Sequence, residues 1–176
     1  MMEITNLLTT GDSSCLYYAE QHLPELLRDE GRWQSLDITY EDPQVHRIWT
    51  PYLNGRIYFH KIFPCVKPFM HPHRWPSTVK LLYGSYDMDV GYMTAGRIEI
   101  ICTINLNSND VYEMLNPLGY HSVSPTNPSH ATFSLMVTGT PFENPTPCSP
   151  KKLHVPKELH KMEREAMFEL ARSFYH

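Results

Sequence analysis

Fifteen prolines, distributed from Pro24 to Pro156, constrain the fold of this 176-residue chain more than any other feature. Proline lacks a backbone N–H and its ring clashes with the preceding helical turn, so it kinks or ends helices. Long helices are therefore not expected through most of the chain. Between the prolines lie short segments rich in Ile, Val, Tyr, Phe and Thr, which predict strands at 56–62, 77–82, 86–92, 96–106 and 133–138. Several short strands separated by turn residues are typical of a mainly β sandwich or barrel.

Helical periodicity is confined to the two ends of the chain. A helix-spaced apolar face preceded by Ser13 or Ser14, either of which can cap a helix, predicts an N-terminal helical segment at 12–31. A second such face predicts a C-terminal helix at 157–175. The β core occupies 33–141, a proline-rich connection occupies 142–156, and 1–176 has the length of one domain. We expect both helices to pack outside the β core, and a partner-binding C-terminal helix is the alternative.

Charge and composition argue against several classes of protein. The net charge is −4 and no basic stripe is present, so no nucleic-acid partner is expected. The apolar runs are too short for a membrane-spanning helix, and the first residues lack the pattern of a signal peptide. The four cysteines are spread along the chain without a C-x-x-C pair, which is typical of reduced thiols. We therefore expect a cytoplasmic protein that does not bind a membrane.

Three histidines are candidate metal ligands. His71 and His73 are two residues apart, so in a strand both side chains leave the same face. Two imidazoles placed in this way can reach one cation at about 2.0–2.2 Å. Trp75 and Ser77 follow at the same spacing, where they are candidate substrate-binding residues. Further along, a turn delivers His121 to the head of another strand as the third candidate ligand.

This pattern resembles the cupin superfamily over residues 56–139. The first cupin motif reads G-x5-H-x-H-x(3,4)-E-x6-G, and Gly84 follows His73 at the spacing that this motif requires. The second motif contains P-x-G-x-x-H-x3-N, whose opening matches Pro117-x-Gly119. The chain departs from the pattern at four points. The glutamate is replaced by Ser77, the first glycine is Cys65, the histidine comes one residue early and the final asparagine is absent.

The resemblance implies a cupin-type double-stranded β-helix, which is a jelly-roll barrel of the RmlC-like kind. It also implies a divalent metal held by His71, His73 and His121, because the thiol dioxygenases among cupins use three histidines. Iron is preferred, while zinc, nickel or manganese would also suit imidazole ligands. No residues for an organic cofactor are identified. A compact barrel of this size leaves room only for a small-molecule substrate or ligand.

The first predicted strand supplies further candidates. Arg56, Tyr58 and His60 share one face, and if that face is the barrel interior, His60 and Tyr58 are candidate catalytic acid–base groups. His60 is alternatively a fourth metal ligand or an interior histidine with an ordinary hydrogen-bond partner. Arg56 and Tyr58 would bind an anionic substrate. Asp87 and Glu99, on later strands, are candidates for the carboxylate that the first motif lacks.

These observations favour a metal-dependent enzyme, with dioxygenase chemistry slightly preferred to that of an isomerase or lyase. One alternative is a non-catalytic cupin that binds a small ligand or serves a regulatory role, which the missing glutamate supports. Another is a metal-free sugar epimerase of the RmlC type, with His60 or His73 as base and Tyr58 as acid. Because an exposed sheet edge needs cover, and cupins commonly pair through such edges, we expect a homodimer.

Overall fold

Two antiparallel sheets dominate the computed structural model, which describes residues 10–39, 41–144 and 157–176. In chain order the strands are β1 Gln34–Ile38, β2 Val45–Tyr52, β3 Gly55–Ile62, β4 His71–Pro72, β5 Ser77–Tyr83, β6 Ser85–Thr94, β7 Arg97–Asn107, β8 Val111–Met114, β9 Gly119–Pro125 and β10 Thr132–Thr138. One sheet has the order β1-β2-β3-β10-β5-β8, and the other has the order β4-β9-β6-β7. The expectation of a mainly β architecture is confirmed.

A single glycine carries the chain from one sheet to the other. Gly84 lies between β5 of the six-stranded sheet and β6 of the four-stranded sheet, and its φ of 84° is in the left-handed region that glycine adopts without strain. A Cβ at this position would also lie 2.9 Å from Cγ2 of Thr132. The turn therefore needs glycine for both its conformation and its space, which accounts for the glycine at this spacing in the sequence.

Two helices, α1 Ser13–Leu26 and α2 Lys161–Phe174, cover the outer face of the six-stranded sheet. Their apolar side chains share one core with outward-facing residues of the sheet, among them Ile48, Ile57, Phe59, Phe133, Leu135 and Val137. Burying one large apolar side chain stabilises a fold by about 1.5–3 kcal/mol, so this layer is a major source of stability. The predicted packing of both helices outside the β core is confirmed, and Met167, Phe168 and Ala171 of α2 are buried against the sheet.

The start of α1 differs from the sequence prediction. Asp12, and not Ser13 or Ser14, is the N-cap, because its carboxylate accepts hydrogen bonds from the backbone N–H groups of Ser14 and Cys15. These bonds satisfy amides that have no partner inside the helix. The helix ends at Leu26, before the predicted end at residue 31.

The C-terminal helix is also shorter than predicted. It begins at Lys161 and not at residue 157, because Lys157 instead pairs with Asp37 of β1 in an isolated antiparallel bridge. Of the predicted proline-rich connection, residues 145–156 lie outside the described residues, and so does Cys148. Within the described ranges, no helix is both long enough and apolar enough to span a bilayer.

The inner faces of the two sheets enclose a second, smaller apolar core. Its buried members are Ile62, Leu81, Tyr86, Met88, Leu106 and Val123, with Tyr58, Val79 and Met136 in an adjoining cluster. These side chains fill only part of the space between the sheets. The remaining space is a cavity, and the candidate site lies in its wall.

Candidate metal centre

The three candidate histidine ligands meet on the four-stranded sheet. His71 of β4 lies directly opposite His121 of β9 in the antiparallel register, and His73 follows one residue after the end of β4. One ring nitrogen from each histidine lies within 4.8 Å of the others. The Nε2 atoms of His73 and His121 are 3.1 Å apart. Two nitrogens that bind one ion at ~2.1 Å and at right angles are about 3 Å apart, so this pair is already at ligand spacing.

Hydrogen bonds orient two of the rings. Nδ1 of His71 lies 3.1 Å from the carbonyl oxygen of Phe69, which can only accept, so Nδ1 donates and Nε2 carries the lone pair. Nδ1 of His73 lies 2.7 Å from Oγ of Ser77. Such outer partners orient a ligating imidazole, and the carbonyl of Phe69 also fixes the tautomer of His71.

The electrostatics of the group keep the imidazoles neutral. Burial lowers the pKa of His73 and of His121 well below the usual 6.5, and the neighbouring imidazoles lower both pKa values further. Burial also lowers the pKa of His71, against a smaller opposing effect of its hydrogen bond to Phe69. The guanidinium of Arg47 disfavours a second positive charge at His71 and His73. Metals bind the neutral imidazole, so the donor set fits a divalent transition metal.

Ser77 differs from its expected role. The sequence places it where cupins have a ligand glutamate and suggests that it contacts substrate. In the structure Ser77 is fully buried, and its hydroxyl is engaged with His73. Its position therefore suits it to hold a ligand in place, and it is absent from the residues that line the cavity.

A cavity of about 220 Å³ lies against the three histidines. His60 of β3 is buried, lines this cavity and is therefore on the interior face, as the sequence interpretation required. Its Nε2 atom is buried and has no hydrogen-bond partner among the described residues. Burial, together with the charge of Arg47, lowers the pKa of His60 well below 6.5, so His60 is neutral. The interpretation of His60 as a histidine with an ordinary partner is not supported at Nε2.

Tyr58 is one step removed from this cavity. Its ring stacks on His60 with centroids 5.6 Å apart, and it belongs to an interior apolar cluster. The guanidinium of Arg47 lies 5.3 Å from the centroid of the same ring. Tyr58 thus contacts two cavity-lining residues but does not line the cavity itself.

Arg56 and Trp75 lie together. The guanidinium carbon of Arg56 is 4.4 Å from the ring centroid of Trp49 and 5.4 Å from that of Trp75, and Nη1 donates a hydrogen bond to the Tyr58 hydroxyl. Trp75 does not share the face of His71 and His73, because β4 ends at Pro72 and the chain bends before β5 begins. Neither Arg56 nor Trp75 is among the cavity-lining residues, so the structure does not bring these two substrate-binding candidates to the cavity.

The two carboxylates proposed to replace the missing glutamate are also elsewhere. Asp87 is exposed and accepts a hydrogen bond from Nδ2 of Asn105, and Glu99 is exposed on β7. Instead, the β1–β2 loop contributes Glu41 and Asp42 to the cavity wall. One carboxylate oxygen of Glu41 is buried without a hydrogen-bond partner in the described part of the chain.

Sequence reasoning missed two kinds of cavity residue. Arg47 lines the cavity from β2, and the period-two alternation of Val45, Arg47 and Trp49 would have placed it on an inner face. Glu41 lies in a loop, where no periodicity exists to reveal the direction of its side chain. The position of Arg47 was therefore predictable from the sequence, whereas that of Glu41 depended on the tertiary fold.

No family model and no curated protein sequence matches this chain. Among solved structures, vicilin from Corylus avellana (hazelnut) is 10% identical, covers 66% of this chain and 33% of its own, and has a TM-score of 0.50. The structure of hydroxypropylphosphonic acid epoxidase from S. wedmorenis is 8% identical, with 62% and 56% covered and a TM-score of 0.49. An oxalate decarboxylase variant from B. subtilis is 16% identical, with 62% and 28% covered and a TM-score of 0.45.

This chain therefore aligns with between 28% and 56% of the lengths of these three chains. At such identities the likeness shows the fold alone. Together with the strand order, the likeness to vicilin confirms the expected cupin-type jelly roll, and the structure places a helix from each end of the chain on its outer face.

Proposed function

We propose that this chain is a metal-dependent enzyme acting on a small molecule, with the metal held by His71, His73 and His121. The observation that carries the proposal is the convergence of three neutral imidazoles on one point in the wall of a cavity. Three histidine ligands leave positions open for substrate, as catalytic metal sites require. The 220 Å³ cavity restricts the substrate to a small molecule.

Iron(II) is the preferred metal, and dioxygenase chemistry is the preferred reaction. A bound iron(II) ion supplies redox chemistry with dioxygen, whereas zinc, nickel or manganese supplies Lewis-acid chemistry. The protein holds the ligand rings in place through Ser77 and the Phe69 carbonyl. His60, neutral and facing the cavity, can donate a hydrogen bond or a proton to substrate from Nε2–H.

The metal-free epimerase has less support from the geometry. That reaction needs a base and an acid that reach the substrate from two directions. Tyr58 instead stacks on His60, does not line the cavity, and its hydroxyl already accepts a hydrogen bond from Arg56. The non-catalytic binding protein remains an outcome of the tests below.

The proposal is tested first by metal content. Protein loaded anaerobically with iron(II) and desalted should retain one equivalent of metal by elemental analysis. His71→Ala and His121→Ala should each weaken binding by at least about 100-fold, because each removes one of three ligands. His130→Ala, at an exposed histidine away from the cavity, is the matched control and should retain the metal. Equal metal retention in wild type and both ligand variants would refute the site.

Catalysis is tested separately on the loaded protein. We expect metal-dependent oxygen consumption with members of a panel of small thiols and catechols, and loss of that consumption in His60→Phe with metal content retained. The non-catalytic binding protein would be favoured by a different result. The protein would then hold one equivalent of metal but turn over no member of the panel, and any compound that bound would remain unchanged.

A further inference from the structure

A row of polar side chains crosses the inner face of the six-stranded sheet, on the opposite sheet from His71 and His121. Arg47 of β2 lies directly opposite His60 of β3, and His60 lies directly opposite Ser134 of β10. Residues opposed in this way have Cβ atoms about 4.5–5.5 Å apart, so the three side chains are immediate neighbours. All three line the cavity. The cavity therefore has polar groups from both sheets: the three histidines from one and this row from the other.

His60, at the centre of the row, lacks a hydrogen-bond partner at Nε2, which a bound ligand would supply. His60 is 8% exposed, and its Nε2 atom has no hydrogen bond to any described residue. A buried polar atom without a partner is costly and uncommon in native proteins. Because Nε2 borders an open cavity, a polar atom of a bound molecule is the natural partner.

Arg47 adds a permanent positive charge to one end of the row. Its guanidinium rests on the face of Tyr58, 5.3 Å from the ring centroid, which limits the directions in which it can point. A planar guanidinium matches the two oxygens of a carboxylate. The negative charges of Glu41 and Asp42 enter the cavity wall from the β1–β2 loop, and Glu41 is close enough to His71 to favour its charged form. At His71 the effect of the Arg47 charge still exceeds that of Glu41, so the guanidinium is the group in this cavity that attracts an anion.

The remaining lining determines the body of the ligand. Apolar side chains also line the cavity, among them Ile62, Val79, Val123 and Met136. A volume of about 220 Å³ corresponds to roughly seven water-sized groups, given ~30 Å³ for each. The cavity thus suits a short apolar body with one charged end.

We propose that Arg47, His60 and Ser134 form a carboxylate-binding subsite, and that the substrate is a small monocarboxylic acid. The carboxylate lies on Arg47 and His60, and the apolar body extends toward His71, His73 and His121. This inference deepens the proposed function and rests on it for the identity of the cavity as the active site. The subsite itself consists of residues that hold no metal, so it can be examined with the metal removed.

The test is calorimetric titration of the metal-free protein with propionate, butyrate and benzoate, each compared with its amide. The amides have nearly the same shape but no charge. We expect at least one acid to bind at least tenfold more tightly than its amide. Arg47→Gln should reduce the affinity for that acid at least tenfold and leave the affinity for the amide nearly unchanged. His60→Phe, which keeps a ring but removes Nε2, should weaken acid binding severalfold.

Lys61→Gln is the matched control, because it removes the same charge from the next residue of β3, whose side chain does not line the cavity. It should bind the acids like wild type. If circular dichroism shows that Arg47→Gln does not fold, Arg47→Lys replaces it. Lysine keeps the positive charge but lacks the planar guanidinium, so this variant should still bind the acids more weakly than wild type. Amides bound as tightly as acids, or acids bound equally by wild type and the Arg47 variants, would overturn the subsite.

Metal content, measured on the same preparations, separates this inference from the proposed function. Acid binding that depends on Arg47 in a protein that never retains metal supports the subsite and refutes the metal enzyme. The opposite result overturns the subsite but supports the metal site. The protein would then hold one equivalent of metal through the histidines, and the metal-free protein would bind no acid at millimolar concentration.

Discussion

Ser77 contacts one of the candidate metal ligands, His73. Its hydroxyl lies 2.7 Å from Nδ1 of His73, and its side chain is completely buried. The bond leaves Nε2 of His73 directed toward Nε2 of His121, at the 3.1 Å separation described above. A serine at this position is therefore compatible with metal binding, because its hydroxyl holds the ring of a candidate ligand in place.

Removal of this hydrogen bond should lower the affinity for the metal, although all three candidate ligands remain. Ser77→Ala is expected to lower metal affinity about 10–100-fold, because the His73 ring is no longer held in one orientation. Competition titration against a chelating indicator dye measures the change. Thr78→Val is the matched control. Thr78 lies on the same strand, and its hydroxyl donates a hydrogen bond to the carbonyl of Gly11 and not to a histidine. Equal affinity in Ser77→Ala and wild type would show that the hydrogen bond has no role in metal binding.

β7 is the element with the least cover. It is eleven residues long, it forms an edge of the four-stranded sheet, and nearly all of its side chains are exposed. Several are large and apolar, with Ile100 57% exposed, Ile101 64% and Ile104 41%. Natural edge strands that stay unpaired are usually short, charged or interrupted by proline, and β7 has none of these protections over 100–107. Antiparallel pairing of β7 with the same strand of a second copy would create a two-fold interface. It would give hydrogen-bond partners to the backbone groups along the outer edge of β7.

We propose that the predicted homodimer forms through β7. Ile101→Lys should convert a dimer into a monomer at micromolar concentration, because a charge placed at the centre of the strand opposes its burial. Sedimentation velocity measures the change. Met162→Lys, at an 81% exposed apolar residue of α2, is the control and should leave the dimer intact. A wild-type protein that is monomeric at all concentrations, or a dimer unaffected by Ile101→Lys, would contradict this assignment.

At the scale of the whole molecule, the four histidines that line the cavity make stability depend on pH. Burial lowers the pKa of His60, His73 and His121 well below 6.5, and that of His71 also lies below 6.5. In the unfolded chain these side chains regain their usual pKa. Between the folded and the unfolded pKa values the unfolded state therefore binds more protons, and the free energy of unfolding falls as pH falls.

The metal-free protein should accordingly lose stability between pH 7.5 and pH 5.5. Each histidine contributes at most about 1.4 kcal/mol per pH unit within its window. Urea unfolding at the two pH values, with a chelator present, measures the loss. His121→Gln should show a smaller loss, because one titrating group is absent. Equal stability of the wild type at both pH values would contradict the lowered pKa values.

The sequence alone determined the local features of this protein. Proline spacing and strand-forming segments predicted the mainly β fold, because these preferences act within a few residues. Gly84 was recognisable from its spacing because only glycine fits its backbone angle and its space. His71 and His73 were identifiable as a pair because two residues in sequence are enough to place them together.

The tertiary structure alone decided how these parts meet. His121 reaches His71 through the register of β4 with β9, which no local pattern encodes and which accommodates the one-residue departure from the motif. The bend after Pro72 separates Trp75 from the histidines, although a continuous strand would have aligned them. Arg47 and His60 form one row only because β2 and β3 pair in that register. Register depends on the sum of many contacts distant in sequence, so sequence patterns identified the candidate groups and the fold selected which of them share the cavity.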